Sequence, residues 1–114
     1  MARSGADHLQ DVLDAIEAIE GYTKGGRRSF DRSAMARDAV AARLIQIGQA
    51  VKDAQAEGFD LPGLQPAIPW RSIAGMRDRL AHKYALSDPA LVWTVVERDL
   101  PELRAAVQAI LSRR

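Results

Sequence analysis

An all-α fold, an antiparallel bundle of four to five helices, is what this 114-residue sequence predicts. Three observations carry that expectation. Four segments place apolar residues three and four apart, and none alternates apolar with polar as a half-buried strand does. The connections between them are marked by glycine, proline and capping residues. The length suits one domain, residues 1–114, with one core. At 47% apolar and 27% charged residues, the balance is that of a globular chain rather than a disordered one.

The first helix is expected from about residue 7 to residue 22. Leu9, Val12, Leu13, Ile16 and Ile19 form its apolar stripe, while Asp11, Asp14 and Glu17 face away. Ser4, with Asp7 three residues later, reads as a slightly irregular capping box, and Gly21, Gly25 and Gly26 end the element. The second helix runs from about residue 32 to residue 57, with Asp31 as its N-cap and Gly58 as its stop. Val40, Leu44, Ile47 and Val51 share one face of it. Residues 59–69 hold Pro62, Gly63, Pro66 and Pro69 and read as a loop that turns the chain, not as an element. Pro69 suits the first position of a third helix, whose stripe is Ile73, Met76, Leu80 and Tyr84. Ser87-Asp88-Pro89 starts the last helical region, which carries apolar residues from Leu91 to Leu111. Pro101 interrupts it, so a kink or a joint is expected near Asp99.

Several functional classes drop out. Without cysteine there are no disulfides and no thiolate metal sites, and two histidines, His8 and His82, do not make a zinc site within one chain. No cofactor is expected. No apolar run approaches the roughly 20 residues that span a bilayer, and the N-terminus lacks the apolar stretch of a signal peptide. A cytoplasmic location is the expectation. Sixteen Lys and Arg against fifteen Asp and Glu leave a net charge of +1, so the placement of charge has to speak for or against nucleic acid.

That placement singles out the third helix. Arg71, Arg77, Arg79 and Lys83 stand against Asp78 alone, a local charge of +3 with His82 neutral. A guanidinium offers phosphate a planar pair of donors, and histidine both takes and gives protons near neutral pH. Asp78 and His82 are four apart and stack, so the carboxylate can hold the imidazole. Arg77 and His82 are five apart and lie roughly 140° from one another around a helix, whereas Arg77 and Tyr84 share a side. Joint use of Arg77 and His82 therefore asks the helix end to unwind, or two copies to meet across a dimer axis; the dimer is favoured. Spacing alone favours plainer roles. Arg-x-Arg can be a solvated face, His82 a helix cap, and Tyr84 core with its hydroxyl reaching out. Lys24, Arg27, Arg28 and Arg32 read as a solvated loop in preference to phosphate contacts at the rim of a cleft, and His8 is given no role.

The stretch from Ile68 to Tyr84, Ile-Pro-Trp-Arg-Ser-Ile-Ala-Gly-Met-Arg-Asp-Arg-Leu-Ala-His-Lys-Tyr, resembles the signature of the HepT-like branch of HEPN domains, small helical ribonuclease toxins. Its core, Arg-x4-His-x-Tyr, is met by Arg77, His82 and Tyr84. The resemblance runs from about residue 7 to residue 111. It takes in Arg43-Leu44-Ile45-Gln46-Ile47-Gly48-Gln49-Ala50, then Val92-Trp93, then Asp99-Leu100-Pro101-Glu102-Leu103.

The resemblance implies a HEPN-like homodimer that cuts RNA without metal, by attack of the ribose 2′-hydroxyl on the adjacent phosphate. His82 would be the general base or acid, Arg77 would stabilise the transition-state charge, and Asp78 would orient His82. Arg71, Arg79 and Lys83 would add weaker RNA contacts. It also implies an antitoxin partner, a small nucleotidyltransferase of the MNT type, which neutralises the toxin by AMP transfer to Tyr84 (AMPylation) or by binding alone. There are two departures from the family pattern. Asp78 stands where Asn is frequent, and its charge repels RNA phosphate. Gln49 stands where relatives often have Glu after Ile-Gly, with either a changed contact near the cleft or no consequence. Two other readings stay open: a catalytically silent module that docks a nucleotidyltransferase or a nucleotide, and a plain helical dimerisation protein.

Overall fold

The computed structural model describes residues 3–81 and 88–113, with the side chains of Arg79 and Ala81 left aside. Every regular element among them is helical. Helix α1 spans Gly5–Tyr22, α2 Gly26–Arg32, α3 Ala34–Ala56, α4 Leu61–Leu64, α5 Trp70–Ala74 and α6 Met76–Ala81. Helix α7 spans Pro89–Thr94, a π turn Val95–Asp99, and α8 Leu100–Ser112.

Helix α3 is the spine. It packs on α1, α2, α5 and α6, and α1 packs in turn on α8. The start of α1 lies by the end of α3, where Gly5 faces Phe59 and Ala54, and Tyr22 at the far end meets Arg43 midway along α3. The two helices are therefore antiparallel. So are α1 and α8, since Glu20 near the end of one pairs with Arg104 near the start of the other. The expected stripes face inward. Leu9, Val12, Ile16, Ile19, Val40, Leu44, Ile47 and Val51 are all buried in one cluster with Leu103, Val107 and Ile110. The capping box forms as expected: Ser4 Oγ accepts from Asp7 N–H at 3.1 Å, and Asp7 Oδ2 accepts from Ser4 N–H at 2.9 Å. Among the described residues no helix is long and apolar enough to cross a membrane.

Four details correct the sequence reading. Residues 26–32 are helix rather than loop. Phe30 anchors α2 by burying its ring against Trp93, with centroids 5.4 Å apart, while Arg27, Arg28 and Arg32 stay exposed. The N-cap of α3 is Ser33, not Asp31: Ser33 is extended at ψ 104°, and its Oγ accepts from Ala36 N–H at 3.0 Å. Residues 59–69 do contain an element, the single turn α4. Asp60 caps it through Gly63 N–H, Pro62 sits in its first turn, and buried Leu61 pins it to the core. The third helix is two short ones, α5 and α6, joined at Gly75.

The joint expected near Asp99 takes the form of the π turn. Pro101 has no N–H to give to residue 97, and its ring crowds that carbonyl. The helix widens instead, Leu100 N–H donating to the Val95 carbonyl five residues back, and Pro101 falls in the first turn of α8. The start signal at Asp88 also holds, its carboxylate accepting from Ala90 and Leu91 N–H at 3.1 and 3.3 Å.

The pair between α1 and α8 gives a modest, pH-dependent contribution. Hydrogen bonds from Arg104 hold the Glu20 carboxyl below its ordinary value of 4.5. A carboxylate so depressed adds stability that is present above its unfolded pKa and lost as pH falls through the lower folded one. Both side chains are partly exposed, so screening keeps the contribution below about 1 kcal/mol. Glu20→Gln is expected to melt slightly below wild type at pH 7 and together with it at pH 3. A gap that persisted at pH 3 would refute this origin.

Candidate functional site

The site is built where α3 and the α5–α6 corner touch. Trp70 fixes the entry, 2% exposed with Nε1–H donating to the Gln65 carbonyl at 2.9 Å. Ile73, Met76 and Leu80 then turn one side of the corner into the core. The opposite side carries Arg71, Arg77 and Asp78, all exposed. Gly48 lets α3 come this close. A Cβ there would lie 2.8 Å from the Ile73 carbonyl oxygen, tighter than real contacts allow. This close backbone approach brings the next residue, Gln49, beside Arg77.

Arg77 Nη1 donates to Gln49 Oε1 at 3.1 Å, a contact 28 residues apart in sequence. Gln49 Nε2 donates in turn to Asp53 Oδ1 at 3.0 Å, one turn further along α3. Among the described residues Arg77 makes no ion pair, and neither does Asp78. The guanidinium is thus held by a neutral amide. Beyond Gln49 lies a shallow groove of about 260 Å³, lined by Arg3, His8, Asp11, Gln46, Gln49 and Asp53 among others. His8, given no role from sequence, is one wall of it.

The sequence-predicted residues divide accordingly. Arg71 stands on α5, and Arg77, Asp78 and Arg79 stand on α6. His82, Lys83 and Tyr84 lie outside the described residues. Gln49 is the residue whose part sequence reasoning missed. Its only signal was the departure from the expected Glu, because a contact spanning 28 positions leaves no trace in helical periodicity. Among the described residues no group of three or more His, Asp or Glu side chains is placed to hold a metal.

The described elements form an all-α bundle, consistent with a HEPN-like domain. The sequence profile described as Ribonuclease HepT-like matches residues 12–110, and the chain belongs to that family of RNA-cleaving enzymes. It is 36% identical to a protein of Thermococcus cleftensis named "Probable ribonuclease HepT", over 96% of this chain and 98% of that relative. A "Putative RNase" of Caldanaerobacter subterraneus subsp. tengcongensis is 30% identical over 93% of each chain. A Methanocaldococcus jannaschii protein named for both a gamma-glutamylcyclotransferase and a putative RNase is 37% identical over 91% of this chain. The match takes in 46% of that longer relative. No solved structure matches.

Proposed function

We propose that this ribonuclease is the toxin of a HepT/MNT-type toxin–antitoxin pair, a cytoplasmic homodimer that cuts RNA without a metal ion. The observation that carries the reading is Arg77: an exposed guanidinium, held in place by an uncharged partner. In the proposed reaction the 2′-hydroxyl oxygen attacks the adjacent phosphorus, the bond to the 5′-oxygen breaks, and a 2′,3′-cyclic phosphate and a 5′-hydroxyl form. His82 takes the proton from the attacking hydroxyl or supplies one to the leaving oxygen, with Asp78 orienting it. Arg77 neutralises the charge that builds on the phosphorane-like transition state. Arg71, Arg79 and Lys83 hold flanking phosphates. Pairing two copies brings a second Arg77 and His82 into the same cleft, which answers the angular separation of the two residues on one helix.

The nucleotidyltransferase antitoxin is proposed to act at Tyr84. AMP transfer there would add bulk and a negative phosphodiester beside Arg77, and both oppose entry of RNA.

The test is cleavage of a defined RNA by purified protein in excess chelator, with analysis of the new ends. Wild type is expected to leave 2′,3′-cyclic phosphate ends, and His82→Ala to cleave about 10²–10⁴-fold more slowly. If folded wild type leaves RNA intact, the toxin reading falls and the silent docking module replaces it.

A further inference from the structure

We infer that Gln49 is the positioning residue for Arg77 and that Asp53 fixes the polarity of its amide. Only the kinetic part of its test rests on the ribonuclease reading.

The hydrogen-bond chain admits one orientation. Arginine has only donors, and an ionised aspartate has only acceptors. Between them the Gln49 amide must turn its oxygen to Arg77 and its NH2 to Asp53, the arrangement found at 3.1 and 3.0 Å. The flipped amide would set NH2 against guanidinium and oxygen against carboxylate, losing both bonds. Asp53 therefore acts on Arg77 through a neutral relay, not by a direct ion pair. Gly48 supplies the rigidity, since the close backbone contact at that residue fixes how far α3 stands from α6. The chain thus gives an exposed arginine one defined partner.

Two readouts on the purified protein separate positioning from catalysis. One is the side-chain 15N–H signal of Arg77 in NMR, assigned with Arg77→Lys. The other is kcat and KM on a short RNA. Gln49→Ala is expected to average the Arg77 signal toward that of a freely rotating guanidinium and to lower kcat roughly 10-fold with little change in KM. Asp53→Ala should act in the direction of Gln49→Ala and add little to it in the double variant, as expected of residues in one chain. Should Gln49→Ala fail to fold, Asp53→Ala carries the same test. An Arg77 signal and kinetics unchanged in both alanine variants would overturn the proposal. An altered signal in a protein whose wild type cleaves no RNA would uphold positioning and remove the ribonuclease reading instead.

Discussion

Arg77→Ala is expected to lower RNA cleavage by about 10²–10³-fold while leaving the fold intact. The fold survives because the side chain is exposed and its single described bond is to another side chain, so no buried partner is stranded. Activity falls because the charge on a pentacovalent phosphate is larger than on the bound diester, and a guanidinium held in place stabilises the difference. Arg77→Lys separates charge from shape. The ammonium is a point charge without the planar fork, and it meets Gln49 with altered geometry. Its rate should therefore fall between those of wild type and Arg77→Ala. In cells the same order should appear as loss of growth arrest. If Arg77→Ala cleaves as fast as wild type under single-turnover conditions, Arg77 has no place in the chemistry.

The second large effect is expected at Gly48. Alanine in a helix interior is favoured over glycine by about 1 kcal/mol, so an unobstructed Gly→Ala change stabilises. Gly21, in the last turn of α1, is unobstructed, since a Cβ there would find nothing within 4 Å. At Gly48 the same Cβ would sit 2.8 Å from a backbone carbonyl, which no rotamer change can relieve. Overpacking of this kind costs roughly 1–3 kcal/mol, and valine, with two further methyl groups, should exceed alanine. Gly48→Val should therefore melt well below wild type, while Gly21→Ala melts at or above it. Displacement of α6 from α3 should also part Arg77 from Gln49, so cleavage should fall more than the loss of folded protein explains. A Gly48→Val protein with wild-type melting and wild-type cleavage would show that the two helices do not need this approach.

The long helices were legible because each must bury a stripe. Leu9, Val12, Ile16 and Ile19 repeat at three and four, and no other element buries them all on one side. Helix α2 was hidden because its seven residues hold one anchor, Phe30, among four charges and next to two glycines. The anchor makes sense only once Trp93, more than 60 positions away, is brought to it. Asp31 and Ser33 are equally good caps by composition. What decides between them is the extended backbone at Ser33, a property of the α2–α3 corner that neither residue type announces. The proline at 101 announced a break but not its form, because a kink, a gap and a widened turn all answer a missing N–H. At the site, the cationic cluster could be seen along one stretch of sequence, residues 71–83. The relay through Gln49 and Asp53 could not, since it depends on which face of α3 Gly48 presents to Ile73.

The π turn at Val95–Asp99 also governs how this chain tolerates changes of length. A residue gained or lost within an α-helix rotates everything beyond it by about 100°, enough to swing a buried face into water. A turn that already holds one surplus residue can surrender it, or pass it along, without transmitting that rotation. Trp93 Nε1–H donating to Glu97 Oε2 at 3.1 Å braces its outer side meanwhile. Single-residue insertions and deletions among divergent copies of this domain should accordingly gather at positions 95–99, in phase with α8. The interior of α8, where Leu103, Val107 and Ile110 must all point the same way, should keep its length.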